Sequence, residues 1–373
     1  MNKTKSNSYG KLLVFFLVAV ALICAFGFAA DGWQLNNNTE PDSGKVDDSS
    51  DKTDENTGGN AANGNEADTN TPEIYVPEYV NYITGLEVSE EASLARPMAF
   101  LMSTSAPLYG ISSAELMIEF PNEDENTRLL TFTTDYSSLG KIGSICATRA
   151  YISNLVKNFG GILVSNGKDD TKIYDSLSIA GSHFDLNLYS GYHYTEYTHY
   201  AYTNSDLIES GVLNANISTI INSRPTLPYT FTEFGEDSVL GTADAKKVVI
   251  PFSDASDSEF RYSESSGLYS FMKGGSLKKD MLNDKSPTFT NVFVLFADSI
   301  TYEGEGGVEM VMDTLSGGKG YYISGGTMMR INWSTVDGQM TFTDEVGDTL
   351  VINRGSSYIG FMKSSKIDSV TIS

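Results

Sequence analysis

The stretch "HFDLNLYSGYHYTEYTHYAYT", residues 183–203, holds all 3 histidines of the chain, together with tyrosines and a glutamate. A catalytic zinc ion takes three protein ligands at about 2.0–2.2 Å and keeps one position open, and His183, His193 and His199 would supply three imidazoles. Their spacing weighs against that chemistry. In a straight strand rising roughly 3.3 Å per residue, His193 and His199 share a face but stand about 20 Å apart, so only a turn brings them together. Tyr192, Tyr194, Tyr200 and Tyr202 have one parity and Tyr189 and Tyr197 the other, which suits strands carrying aromatics on both sides. The pattern favours sheet packing. Its alternative is a ligand-contacting aromatic surface that includes His199 and Tyr200.

Other residues offer different chemistry. Arg149 has the fork geometry to clamp a carboxylate or phosphate, and Glu119 is a general acid or base in reach of such a site if the fold joins them. A buried Arg149–Glu119 pair would serve structure equally well. Arg128 belongs to the same group. "SGGKGYY", which contains Lys319, resembles a phosphate-cradling loop but lacks the following Ser or Thr and the helix that would aim N–H groups at an anion, so a glycine-rich hairpin is favoured. No "GxSxG" elbow fixes a nucleophile. With Cys24 in an apolar run, Cys146 is left alone, which excludes a disulfide framework and suits a small buried side chain.

The elements that must position these residues fall into two halves. In "ATRAYISNLVKNFGG", Tyr151, Leu155 and Phe159 recur at helical spacing before Gly160 and Gly161, and "NSDLIESGVLNANISTIINS" follows a cap at Asn204 or Ser205. Around them "SAELMIEF", "RLLTFTTD" and "GILVSN" are strand-like. From Lys246 onward the chain runs through "KKVVIPF", "EFRYSESSGLYSFM", "NVFVLFADSITYE", "VEMVMDTL", "GYYISGGTMMRINWS", "MTFTDEVGDTLVIN" and "SSYIGFM". Short Gly- or Asp-containing loops join these runs, as in antiparallel hairpins. The expected class is α+β, with a mixed α/β first half over residues 75–235 and a mainly antiparallel β second half over residues 236–373.

Before the folded region lies "LLVFFLVAVALICAFGFAA", residues 12–30, an uncharged run that approaches the roughly 30 Å hydrocarbon core of a bilayer as a helix. Lys3, Lys5 and Lys11 precede it, so residues 1–11 are expected in the cytoplasm and the bulk of the chain outside, on a single-pass membrane anchor. A cleaved signal and a lipoprotein signal acylated at Cys24 are the alternatives, though Ile23 is not the small residue that lipobox cleavage needs. Residues 31–74 are acidic, poor in aliphatic residues and expected to be a disordered tether spanning on the order of 35 Å. The formal charge of -23 among 373 residues repels phosphate backbones and argues against nucleic acid as a partner.

Several segments taken in order, "ITGLEVSEEASLARPMAFLMSTSAPLYGISSAELMIEF", "TRLLTF", "KIGSICATRAYISNLVKNFGGILVSNG", "HYAYTN", "GGKGYYISGGTMMRINW" and "NRGSSYIGFM", resemble the YerB-like family. That family comprises cell-surface lipoproteins of Gram-positive bacteria with two consecutive domains of unknown function. The resemblance spans roughly residues 82–365. It implies a three-layer sandwich of two β layers and one α layer, and no catalytic mechanism. Glu119, Arg128, Arg149, His199, Asp280, Lys319 and Trp333 match the family pattern. Cys146 stands where that pattern has arginine, Ser165 where it has histidine, and Leu277 with Lys278 where it has a Pro-His pair.

Candidate ligand-binding residues are therefore Glu119, Arg128, Arg149, His199, Tyr200 and Lys319. No motif implies a metal or cofactor. The sequence favours a membrane-tethered extracytoplasmic binding or scaffolding protein of the bacterial envelope, with an envelope protein or wall glycan as partner. The alternative is an envelope hydrolase or transferase using Glu119 or His199 with Arg149 as anion clamp.

Overall fold

Alternation of side chains along β2 (below) splits the first half between two cores, and this split separates Glu119 from Arg128 and Arg149. The computed structural model describes residues 74–167, 181–197, 200–238, 241, 243–304 and 307–373. The expected anchor over residues 12–30 and the tether, apart from its last residue, lie outside the described residues. Among the described residues no helix is long and apolar enough to cross a membrane. The first half contributes β1 (Met98–Ser103), β2 (Leu116–Pro121), β3 (Thr127–Thr133), β4 (Ile142–Ile145), α1 (Ala150–Asn158), β5 (Ile162–Ser165), β6 (His183–Asp185), β7 (Tyr194–Tyr197), β8 (Tyr200–Thr203) and α2 (Ser205–Asn214). Both expected helices form. Asn204 Oδ1 caps α2 by accepting from Leu207 N at 2.9 Å, and α1 stops where Gly160 turns left-handed at φ 64°. Helix α2 is shorter than its sequence segment, because the chain reverses at Asn216, φ 54°.

The second half is nearly all strand. It supplies β9 (Lys247–Pro251), β10 (Asp257–Ser263), β11 (Leu268–Lys273), β12 (Ser276–Leu277), β13 (Asn291–Ala297), β14 (Ser299–Gly304), β15 (Gly307–Met312), β16 (Gly317–Ser324), β17 (Thr327–Val336), β18 (Gln339–Thr343) and β19 (Ser357–Lys363). A large sheet runs in the order β17-β16-β13-β19-β2-β3-β1-β4-β8-β7, so it crosses from one half of the chain to the other without a break. The joint is β19, which lies parallel to both β13 and β2. The β13–β19 pair is a parallel exception within the mainly antiparallel second half, and the β2–β19 pair joins the halves. Their cause is legible in burial: β13 is buried at every position and β19 at all but its last, the signature of strands covered on both faces. A smaller sheet carries β9, β10, β11 and β12, and β14 with β15 makes a separate ribbon.

On β2, Leu116, Ile118 and Phe120 enter one core with Tyr151, Ile152, Leu155, Val156 and Phe159 of the α1 region. Met117 enters the other, with Val248, Phe260 and Phe271 of the small sheet and Ile208 of α2. The two faces of β2 thus feed two cores, one shared with α1 and the other with the small sheet and α2. The second core centres on Tyr358, whose ring lies 4.4 Å from Phe260 and 5.7 Å from Phe289, centroid to centroid. Asp280 fastens the halves, accepting from Gly110 N at 3.0 Å and Ser112 N at 2.8 Å.

The glycines of "SGGKGYY" lie inside β16 rather than in a turn, which falls at Gly325 and Gly326. A side chain at Gly318 would collide with Phe296 O and the Trp333 indole, which crosses that position to donate to Phe296 O at 3.1 Å. Close strand approach, not phosphate binding, requires glycine here.

Candidate functional site

Glu119 shares the face of β2 that carries Met117, and so points between the sheets, where it is fully buried. Its Oε1 accepts from Lys273 Nζ at 2.6 Å and Thr127 Oγ1 at 2.5 Å, and its Oε2 from Tyr358 Oη at 2.6 Å and Ser258 Oγ at 2.7 Å. Lys273 Nζ also reaches Ser258 Oγ at 3.0 Å and Thr127 Oγ1 at 3.2 Å. Burial, reinforced by the Glu119 charge, pushes the Tyr358 phenol well above its ordinary 10.0. A carboxylate enclosed by four donors has no lone pair aimed outward, and a general base must come within hydrogen-bond reach of its substrate.

Arg128 lies on the opposite face, since Leu129 belongs to the small-sheet core and Leu130 to the other. Arg149 is the residue preceding α1, on the same side. Its Nη2 donates to Glu123 Oε1 at 2.7 Å and its Nη1 to Asn122 Oδ1 at 3.0 Å, while Nε stands 3.9 Å from Glu309 Oε2 on β15. Arg128 Nη1 donates to Ala147 O at 2.8 Å, and its Nη2 is 3.9 Å from the same Glu123 oxygen. The structure therefore brings Arg128 and Arg149 together around Glu123. It does not bring Arg149 to Glu119, because the sheet separates them.

In the tyrosine-rich stretch, His199 lies outside the described residues. Tyr200, half-buried, accepts from Ser103 Oγ at 3.3 Å. His183 pairs its Nε2 with Ser165 Oγ at 2.8 Å. Tyr189 stacks on Phe184 at 5.0 Å, and Tyr194 on Tyr202 at 6.2 Å. Lys141 Nζ sits 4.1 Å from the Tyr109 ring centre and 4.7 Å from that of Tyr202, held by both oxygens of Glu196 at 2.7 Å. Among the described residues no group of three His, Cys, Asp or Glu side chains is placed to hold a metal ion. Cys146 is buried beside α1.

Lys319 is exposed and borders a groove of about 460 Å³ with Tyr321, Arg330, Asn332, Glu345 and Asp368. The two-residue turn at 325–326 sets Lys319 opposite Asn332 and Tyr321 opposite Arg330. Asn332 Nδ2 is tied to Asp344 O at 3.3 Å, and the Tyr321 ring meets Phe296 edge-on at 5.6 Å. Among the described residues neither Lys319 nor Arg330 has an ion-pair partner. Glu345 and Asp368 put two carboxylates in the same lining, and the part of the groove suited to an anionic, partly flat group is where the two cations flank the aromatic ring. Sequence reading found Lys319 but missed Arg330, which the Gly-Gly turn and hairpin count would have placed opposite Tyr321. Lys273 and Ser258 carried no comparable signal, since they meet Glu119 only across two sheets.

These features define a β-rich protein in which two sequence halves complete one sheet. Residues 83–218 match the N-terminal domain, and residues 248–359 the C-terminal domain, of the family described as Protein of unknown function (DUF3048). The chain belongs to the YerB-like family. It is 22% identical over 305 residues to the Bacillus subtilis (strain 168) protein named "Putative lipoprotein YerB", covering 78% of this chain and 88% of that one. The crystal structure of YerB from Bacillus subtilis superposes with a TM-score of 0.66 at 21% identity, over 78% of this chain and 98% of that one.

Proposed function

We propose that the protein is a membrane-tethered binding or scaffolding module on the outer side of the cell membrane, engaging an acidic wall glycan or envelope protein through the Lys319–Arg330 groove. The observation that carries this reading is the pair of exposed cations beside Tyr321, neither in an ion pair among the described residues, in a chain of net charge -23. Support for the tether comes from the apolar run at residues 12–30 and from the lipoprotein name borne by the Bacillus subtilis relative. The packing of α1 in one core and of the small sheet in the other supports a three-layer β-β-α arrangement. A hydrolase built on Glu119 and Arg149 would need both side chains on one face, and they lie on opposite faces.

The test is retention of acidic wall fragments and envelope proteins by the full-length chain in detergent, compared with a Lys319→Ala/Arg330→Ala double variant. Binding lost in the double variant is the expected result. Equal retention by both forms would remove the groove from the reading, and recovery of the intact chain in the cytosolic fraction would remove the tether.

A further inference from the structure

A second lysine, Lys278, is directed to the side of the small sheet on which the closed Glu119–Lys273 pair lies. Lys278 follows β12, and its N–H bonds to Phe271 O, continuing the register that sets Met272 opposite Leu277 and Lys273 opposite Ser276. Directly opposed residues of an antiparallel pair share a face, and so do residues two apart. Phe271 is buried in the inter-sheet core, so Lys278 and Lys273 are directed to the same side as Phe271, the side on which Glu119 lies.

The charges there do not balance. Glu119 contributes one negative charge, and Lys273 and Lys278 one positive charge each, leaving one positive charge uncompensated. Lys273 spends its hydrogen bonds on Glu119, Thr127 and Ser258, so it cannot release the carboxylate to its neighbour. Asp257, at the same end of β10, accepts from Gly274 N across the turn. Lys278 is half-buried, and its ammonium has no hydrogen bond or ion pair among the described residues. Desolvation and the adjacent Lys273 charge lower its pKa, opposed by Glu119. A partly desolvated cation next to another cation is a standing cost that a bound anion removes.

We infer that Lys278, backed by Lys273, forms an oxyanion-binding site at the edge of the inter-sheet space, suited to a carboxylate or phosphate group. The site is independent of the Lys319–Arg330 groove, which opens beside β16 and β17.

The test titrates the full-length protein in detergent with inorganic phosphate, and separately with acetate, at constant ionic strength. It reads the thermal midpoint and the reactivity of Lys278 toward an amine-acylating reagent, located by peptide mapping. Phosphate is expected to raise the midpoint and protect Lys278. In Lys278→Gln the apparent affinity should weaken by about tenfold or more, as befits loss of a charge-assisted hydrogen bond. Lys278→Arg should retain binding, and Lys319→Gln should leave the Lys278 protection intact. Protection by acetate as well as phosphate assigns the site to carboxylates and phosphates alike, whereas protection by phosphate alone restricts it to phosphoryl groups. No protection by either anion, or an unchanged midpoint shift in Lys278→Gln, overturns the inference.

Discussion

Glu119 and Lys319 stand on the two halves of one sheet, and the fold treats their charges in opposite ways. Glu119 lies where two sheets close on each other, and each carboxylate oxygen is met by two donors. Lys319 lies near the far edge, on a strand with a groove in front of it that Glu345 and Asp368 also line, and it has no ion-pair partner among the described residues. Removing a charge from water is tolerable only when partners replace the water, so the buried site had to be completed from within the chain. The exposed site is under no such constraint, and its cations remain in water. Charge in the interior of this protein therefore holds sheets together, and charge at the groove stays at the surface, where the proposed function would use it.

The sharpest way to break that contrast is Glu119→Ala. It leaves Lys273 facing a desolvated space and strips Ser258, Tyr358 and Thr127 of their acceptor. The expected loss is about 3–5 kcal/mol of unfolding free energy in urea, the range for removing one partner of a buried ion pair. A loss below about 1 kcal/mol, the range of exposed pairs, would mean that Glu119 is not internally committed.

Arg149→Ala should cost less, about 2–3 kcal/mol, because Glu123, its hydrogen-bonded partner, is partly exposed and regains water, while the buried Glu309 stands farther off at 3.9 Å. The same variant should leave retention of wall fragments per folded molecule unchanged. Reduced retention by folded protein would move Arg149 from the structural to the binding side of the comparison.

Alkaline pH tests the closed region without a charge deletion. Tyr358 is held neutral by burial and by Glu119, so its folded pKa lies above the 10.0 expected in the unfolded chain. Above pH 10 the unfolded state therefore binds fewer protons than the folded state. Stability falls as pH rises, by up to about 1.4 kcal/mol per unit for this residue until its folded pKa is reached. Urea midpoints between pH 9 and 11 should decline less steeply in Tyr358→Phe than in the native chain. Parallel declines would show that the phenol is not shielded.

How much of this contrast was legible in sequence depended on distance along the chain. Helix α1 and the cap at Asn204 rest on neighbours within one turn, so periodicity and residue type sufficed. The hairpin partners of Lys319 follow from counting outward from Gly325–Gly326, and Arg330 is recoverable that way. The parallel placement of β19 between β13 and β2 is not, because the pairing joins Ile118 to Ile359 across most of the folded chain. The company of Glu119 was hidden for the same reason: its partners come from β3, β10, β11 and β19. The expected partner, Arg149, is near in sequence but on the other face, and a strand's period of two decides that outcome.

The smallest expected effect is the most telling for function. Lys319→Ala and Arg330→Ala remove exposed cations that make no ion pair among the described residues, so each should change unfolding free energy by no more than about 0.5 kcal/mol. Retention of an acidic ligand should nevertheless fall in both, and fall more steeply with added salt in the native chain than in the double variant, since fewer ionic contacts remain there to be screened. Paired urea melts and binding curves at two salt concentrations measure both quantities on the same preparations. A stability loss comparable to that of Arg149→Ala would erase the distinction between the two regions, because it would mean that the groove cations, too, are spent on holding the fold.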